Sequence, residues 1–403
     1  MSKGNVLVGQ SGGPTSVINS SLAGVIEGAL SAPTIGRVFG MRYGIEGVLN
    51  DFLVDLGSES PDVLSGLRST PGSALGSSRL KLKEEHFPAV LKQLQKYNIR
   101  YYFMIGGNDT MDTIHRVTKY AHEHGHEMVG VGVPKTVDND LHGTDHTPGY
   151  PSAARYVALS VLQAGVLAID MQKVDQFVIF QSIGRSAGWL PAAAGCARFG
   201  NETAPHLILF PERSFDRERF LRAVAATHEE HGFVSIVCGE GITNADGTPV
   251  SVSQTRDKFG NVEFGAMGGT SAAMMLHRMI ADEFSWRGEF QVTESLPMCA
   301  ADRGVKLDFD EAFACGQEAV RLAIQGDGGV MVTMNRLNPT REHYEIGFGT
   351  ISLSEVANHE RPMPDHFISD DGFGVTAAFR DYVAPLIGEL PTYERLAAKR
   401  ASL

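Results

Sequence analysis

The stretch VPKTVDND, residues 133–140, sets one lysine and two aspartates in a turn that follows a strand-like valine and a proline. Lys135 could place a point charge against donor phosphates. Asp138 could take a proton from an acceptor hydroxyl, as a general base must. Asp140 could help hold a divalent cation, and Thr136 could hydrogen-bond a substrate. Phosphoryl transfer asks for little more than a held donor, neutralised charge and an aimed acceptor. A solvated loop with a surface lysine would carry the same letters, so the rest of the chain has to discriminate.

Two glycine turns bear on the choice. NVLVGQ (5–10) reads as a buried strand, SGGPT follows it, and Ile18, Leu22, Val25, Ile26 and Ala29 then fall on one helical face. The same order recurs as YYFMI (101–105), GGNDT and a stripe of Met111, Ile114, Val117 and Ala121, with Gly125 as the stop. Glycines between a strand and a helix start let backbone approach a ligand, and free N–H groups there suit phosphate. Gly12, Gly13, Gly107, Asn108, Asp109 and Thr110 are therefore candidate donor-phosphate contacts. A tight structural turn would look alike. No GxxxxGK[ST] occurs, and GVGVPK (130–135) breaks the dinucleotide glycine pattern with a lysine, so a dehydrogenase is poorly supported.

The elements that must position these loops are legible in outline. MVGVGV (128–133) is a third strand and runs directly into the lysine loop. Strands alternating with helices imply a parallel sheet covered on both faces, whose ligand crevice lies at the carboxyl ends of the strands. All three loops sit at such ends and should converge. A helix from 150 to about 169, strands at 177–181, 207–210 and 234–239, and a charged helix between the last two read as a second α/β unit. Helices are expected at 266–282 and 308–325, and a strand at 329–334; the tail from 339 has no clear pattern. The division implied is a donor-binding unit over 1–140, an acceptor-binding unit over 141–265, and a remainder, 266–403, that returns to complete both.

Composition narrows the class. A net charge of −12 without a basic stripe argues against nucleic acid. Cys196, Cys238, Cys299 and Cys315 are far apart, with neither zinc spacing nor a disulfide framework. The first strand begins too early to leave room for a signal peptide, and no apolar run approaches a membrane span, so a soluble cytoplasmic protein is expected. HEHGHE (122–127) looks like a metal cluster, but histidines at a helix end also complement its dipole. DRERF (216–220) reads as a solvated helix start, and Met274, Met275 and Met279 as core filler.

QSGGPTSVIN (10–19), TPGSALGSSR (70–79), IGGNDT (105–110), PKTVDNDLHGTDHTPGY (134–150), IGRSAGW (183–189) and GEG (239–241) resemble, in order, the signatures of the phosphofructokinase superfamily, in its pyrophosphate-dependent branch. The resemblance implies two Rossmann-like α/β parallel-sheet domains with the active site in the cleft between them. It implies Mg2+ as cofactor, pyrophosphate as donor, and transfer to fructose 6-phosphate. Asp138 matches the catalytic base, Thr136 and Asp140 substrate-side positions, and Gly12 and Arg79 donor contacts. Ile183, Gly184 and Arg185 match the motif that touches the sugar phosphate, and Glu240 a carboxylate on sugar hydroxyls. The ATP-using branch has glycines where this chain has Asp109 and Lys135, which favours pyrophosphate.

There are departures. The usual metal-binding aspartate is Asn108, with Asp109 able to compensate. Two arginines expected on the 6-phosphate fall at Gln176 and Glu294. Losing two guanidiniums removes bidentate phosphate recognition, so an unphosphorylated sugar or polyol is an alternative acceptor. The other explanation is a shifted alignment in which Arg287, Arg303 or Lys306 fills in. An ATP-dependent kinase and a non-catalytic regulatory subunit are further alternatives. The family commonly forms dimers or tetramers and sometimes borrows substrate residues from a neighbouring subunit, so a homo-oligomer is implied.

Overall fold

The computed structural model describes residues 3–78, 80–197, 204–251, 270–338, 343–357, 359–394 and 396. Its first sheet has seven strands: β1 (Gly4–Gln10), β2 (Ile35–Met41), β3 (Leu53–Asp55), β4 (Ile99–Gly106), β5 (Val129–Pro134), and, far along the chain, β10 (Val330–Asn338) and β11 (Glu345–Ser352). Between them in sequence lies a second sheet of β6 (Phe177–Ser182), β7 (Leu207–Leu209), β8 (Val234–Gly239) and β9 (Gly288–Val292). The spatial orders are β11-β10-β5-β4-β1-β2-β3 and β7-β8-β6-β9.

The second sheet is parallel throughout. The first is parallel across β2-β1-β4-β5-β10, with antiparallel pairs only at its two edges, β2 with β3 and β10 with β11. Helices cover both faces, which is why β1 and β4 run apolar without alternation: Val6, Leu7, Val8, Tyr102, Phe103, Met104 and Ile105 are all buried. On one face the helices Ile18–Ser31 and Lys306–Gln325 cross at near-backbone contact. A Cβ on Gly24 would lie 2.0 Å from the Phe313 carbonyl oxygen, and one on Gly316 would lie 2.2 Å from that of Ser21. The helix that carries the first glycine turn is thereby fixed by a segment three hundred residues away.

Several elements lie outside the sequence expectations. β3 and β9 are short, β11 is partly exposed, and β2 is broken by Gly36, Arg37 and Gly40, so all four give weak periodicity. The tail contributes β11 and the helix Ala377–Ile387, whose Phe379, Val383, Leu386 and Ile387 complete the core around Tyr150 and Trp189. The helix expected over 266–282 is described as Ala272–Phe284, with Ser271 capping the Met274 N–H; residues 266–269 lie outside the described residues. One further correction concerns Tyr150–Met171, which by length and composition is apolar enough to cross a membrane. Here its Ala153, Ala154, Val157, Ala158 and Val161 pack in the second core. Its N-terminus is capped from the long helix of the returning chain: the Asp308 carboxylate accepts the Gly149 and Ser152 N–H groups at 2.8 and 3.1 Å.

Candidate active site

The first glycine turn leaves β1 and is held open by side chains, not by its own backbone. Buried Gln10 donates to Asn19 Oδ1 at 2.8 Å and accepts from the Ser73 hydroxyl and the Leu75 N–H at 2.9 Å each. Ser77 donates to the Gly12 carbonyl. The 72–78 loop is therefore tied to the turn; Arg79 lies outside the described residues.

Lys135 enters this turn from the end of β5. Its Nζ donates to the Gly13 carbonyl at 2.8 Å, and the side chain is almost wholly buried. Gly12 has φ +76°, which favours glycine, and a Cβ there would stand 3.1 Å from that nitrogen and crowd it. Burial pulls the lysine down to about 8, against the pull of Asp138 and Asp140.

The two aspartates follow at once. Asn139 between them takes φ +58°, a conformation that asparagine tolerates better than most residues. It is locked there: its Oδ1 accepts the Thr147 N–H at 3.0 Å and its Nδ2 donates to Tyr382 Oη at 3.0 Å. Thr136 Oγ1 accepts the Asp138 N–H at 3.1 Å, and the Thr136 carbonyl accepts from Thr147 at 2.8 Å. Next in the chain, His146 is fully buried between Asp145 (2.9 Å) and Glu311 (2.7 Å). Burial opposes its charge, but those carboxylates prevail and raise it to about 9. Asp138 is raised to about 6 by burial and by Glu240, partly offset by Lys135 and Arg185. Asp140 is raised to about 7 by burial, Asp138 and Glu360. Both aspartates keep some surface open to the cleft.

The second sheet supplies the facing wall. Ile183, Gly184 and Arg185 leave β6, and Glu240 leaves β8. Glu240 accepts the Gly184 N–H and lies 3.9 Å from Arg185 Nε; burial raises its carboxyl, with Glu294 adding to the effect and Arg185 opposing it. The two loops pass so closely that a Cβ on Gly241 would fall 1.5 Å from the Arg185 carbonyl oxygen. Glu294, with φ +45°, follows β9 and joins this wall. From there the chain crosses to the first glycine turn, where a Cβ on Gly13 would meet Met298 Cε at 2.3 Å.

Lys135, Thr136, Asp138, Asp140, Arg185, Gly184, Glu240, Glu294, Gly12 and Gly13 are thus brought together. The second glycine turn is beside them: the Lys135 N–H donates to Gly106 O, and Gly107 lies next to the Lys135 carbonyl. Thr110 is buried there, while Asp109 is exposed in the first turn of its helix. Gln176 is not brought in. It stands at the opposite end of β6, where its Oε1 accepts the Arg287 N–H at 3.1 Å. The residue precedes its strand and Gly184 follows it, so a whole strand length separates them. Asn108 is also spent differently, because its amide faces the carbonyls of Val356 and His359 at 3.2 Å. His122, His124 and His126 bind the carbonyls of Met128, Tyr120 and Ile99, and no cluster of three metal-ligating side chains occurs among the described residues.

Sequence reading missed Glu360, whose charge raises both aspartates, and Arg361, whose N–H donates to the Asp140 carbonyl at 2.7 Å. Both arrive from the tail through irregular backbone, which carries no periodic signal.

The phosphofructokinase family matches residues 5–343. The chain belongs to that family. It is 38% identical to the pyrophosphate–fructose 6-phosphate 1-phosphotransferase of Methylococcus capsulatus, over 98% of this chain and 96% of that one. It is 31% identical to a sulfofructose kinase of Alkalicoccus urumqiensis, over 91% and 92% of the two chains. The crystal structure of a pyrophosphate-dependent phosphofructokinase from Nitrosospira multiformis superposes with a TM-score of 0.87 at 36% identity, covering 99% of this chain and 95% of that one. The phosphofructokinase fold thus accounts for the two sheets and for loops that meet at their carboxyl ends.

The buried lysine makes a measurable prediction. Its folded state favours the neutral form, so between about 8 and 10.5 the unfolded chain binds more protons. Stability must therefore rise with pH across that window. Melting temperatures of the native protein, taken against Lys135→Met at each pH, should show this rise; parallel curves would place Lys135 in solvent.

Proposed function

We propose that the protein transfers a phosphoryl group from pyrophosphate to the 1-hydroxyl of fructose 6-phosphate, giving fructose 1,6-bisphosphate and phosphate. The observation that carries this reading is Lys135, a nearly buried cation inserted into the glycine turn with Asp138 three residues away. The backbone of the two glycine turns and the Lys135 ammonium hold the donor. Asp138, raised towards neutrality, accepts the acceptor's proton as the new P–O bond forms and the bond to the leaving phosphate breaks. The leaving phosphate remains against Lys135. Glu240 and Arg185 orient the sugar from the facing wall. In reverse, Asp138 returns the proton to the departing hydroxyl.

Asp109 and Lys135 support pyrophosphate over ATP. A carboxylate at the mouth of the second turn repels an inner nucleotide phosphate, and the lysine fills space at Gly12 that an extended chain of phosphates would need. The donor set fits Mg2+. Asp138 and Asp140 are neighbouring carboxylates, and repulsion between them adds to burial in raising Asp140. A cation relieves that, and Mg2+ needs only one or two protein carboxylates beside phosphate and water. Asp140, with Asp109 at the mouth, would hold it. When bound, it neutralises charge on the transferring phosphate.

Asp138→Ala should lower turnover by about a thousandfold while pyrophosphate still binds, read by steady-state rates beside calorimetry. Run in parallel, pyrophosphate should support turnover and ATP should not, with fructose 6-phosphate preferred over free sugars and polyols. Turnover undiminished in Asp138→Ala, or a preference for ATP, would overturn the assignment.

The protein is further proposed to act as a homo-oligomer in the cytoplasm. Leu167, Met171 and Val174 are 48%, 38% and 44% exposed on the helix 150–171 and the turn that follows it, and Phe290 is exposed on the edge strand β9. Gln176 and Arg287 sit at the same end. None of the four cysteines is in a disulfide, which suits a reducing compartment. Light scattering should give a multiple of the 43.5 kDa chain mass, and Leu167→Glu should shift it towards the monomer; a monomeric native protein would refute this.

A further inference from the structure

The position of Asn108 reads as a cation ligand, yet its amide nitrogen is committed elsewhere. The side chain ends against two carbonyl oxygens, of Val356 and His359, and can bond them only by donating, at 3.2 Å each; the Val356 oxygen also accepts the His359 N–H at 3.2 Å. The segment it grips continues straight onto the catalytic loop. Glu360 pairs with Leu141 as an antiparallel bridge. The Arg361 N–H donates to the Asp140 carbonyl at 2.7 Å. The Arg361 guanidinium donates to Asn139 O at 2.9 and 3.2 Å, Thr144 O at 2.6 Å and Asp145 O at 2.7 Å. It also lies 4.5 Å over the Trp189 ring, and Trp189 Nε1 donates to the Arg361 carbonyl at 3.2 Å. Through these bonds the segment His359–Arg361 joins the second glycine turn, the catalytic loop and the second core.

We propose that Asn108 is a latch: its amide nitrogen seats His359–Arg361 across the catalytic loop and keeps Glu360 beside Asp138 and Asp140. Asn108 is thus a positioning residue, with only its oxygen left for any contact with phosphate or cation. The acidic charge missing at position 108 returns to the site from the tail, as Glu360. This explains why an amide stands where an acid would be expected. A carboxylate has no proton to give two carbonyl oxygens, and oxygen facing oxygen is repulsive. The proposal rests on the phosphotransfer reading for its effect on turnover, but not for its structural consequence.

Trp189 reports the structural consequence directly. In a Trp286→Phe background it is the sole tryptophan, and it is 2% exposed beneath Arg361. Asn108→Asp and Asn108→Ala should both unseat the segment, raising acrylamide quenching of Trp189 at least about twofold as the local structure opens. Both should lower kcat/KM by about tenfold, the scale of losing one or two hydrogen bonds. Adding Glu360→Gln to Asn108→Asp should cost little more, because the carboxylate is already displaced. A purely ligating Asn108 predicts the reverse: Asn108→Asp would tighten Mg2+ binding by calorimetry and leave Trp189 protected, and that result overturns the latch. Quenching that rises in a protein without the proposed activity would sink the reaction and spare the latch. Hydrogen exchange on the unaltered chain guards against misfolded variants. The Arg361 amide should be as protected as those of the catalytic loop; fast exchange there alone would also overturn the proposal.

Discussion

An ammonium group taken out of water must be compensated where it sits, and most of this site follows from how Lys135 is compensated. One bond goes to the Gly13 carbonyl, and two carboxylates lie within electrostatic reach. The bond fixes the lysine in the first glycine turn, close against position 12, whose positive φ favours glycine. The carboxylates must then be held close without collapsing onto it. The positive φ of Asn139 and the clamps from Thr147 and Tyr382 do this. Sheet, turn and catalytic loop are thus mutually determined, and a change at any one is felt by the others.

The charge balance of the cleft is unusual for a site that receives an anion. Asp138, Asp140, Glu240, Glu294 and Glu360 face Lys135 and Arg185, and three of the acids are raised by burial and mutual repulsion. Such a site resists a bare polyanion and welcomes one that arrives with a cation. It also keeps Asp138 close to the point where it can both accept and return a proton, as a reversible transfer requires. The acids are divided between the walls: the aspartates come from the first sheet, Glu240 and Glu294 from the second, and Glu360 from the tail.

The legible part of this arrangement was what lies close together in sequence. The glycine turns and the Lys135–Asp140 loop stand at the ends of strongly apolar strands, where their residue types allow phosphate chemistry without demanding it; the loops after β6 and β8 were legible only through the family resemblance. What could not be read was set by the third dimension. Gln176 lies nine residues from Arg185 in sequence, but β6 carries the two to opposite ends of the sheet. Asn108 looked like a weakened ligand because nothing local reveals the carbonyls of Val356 and His359. Glu360 and Arg361 come from a segment held by backbone bridges and carbonyl contacts, which leave no pattern in the sequence. The strands β2, β3, β9 and β11 went unseen because they are short, glycine-broken or partly exposed and carry little apolar pattern.

The central claim is that Lys135 binds the donor as a buried cation whose charge depends on that donor. At pH 8 it stands near the midpoint of its titration, so an incoming diphosphate should restore the missing proton. Calorimetric titration with pyrophosphate in two buffers of different ionisation enthalpy measures this uptake. The native protein should take up about half a proton more than Lys135→Met, and bind more tightly. Equal uptake and equal affinity in the two proteins would contradict the account.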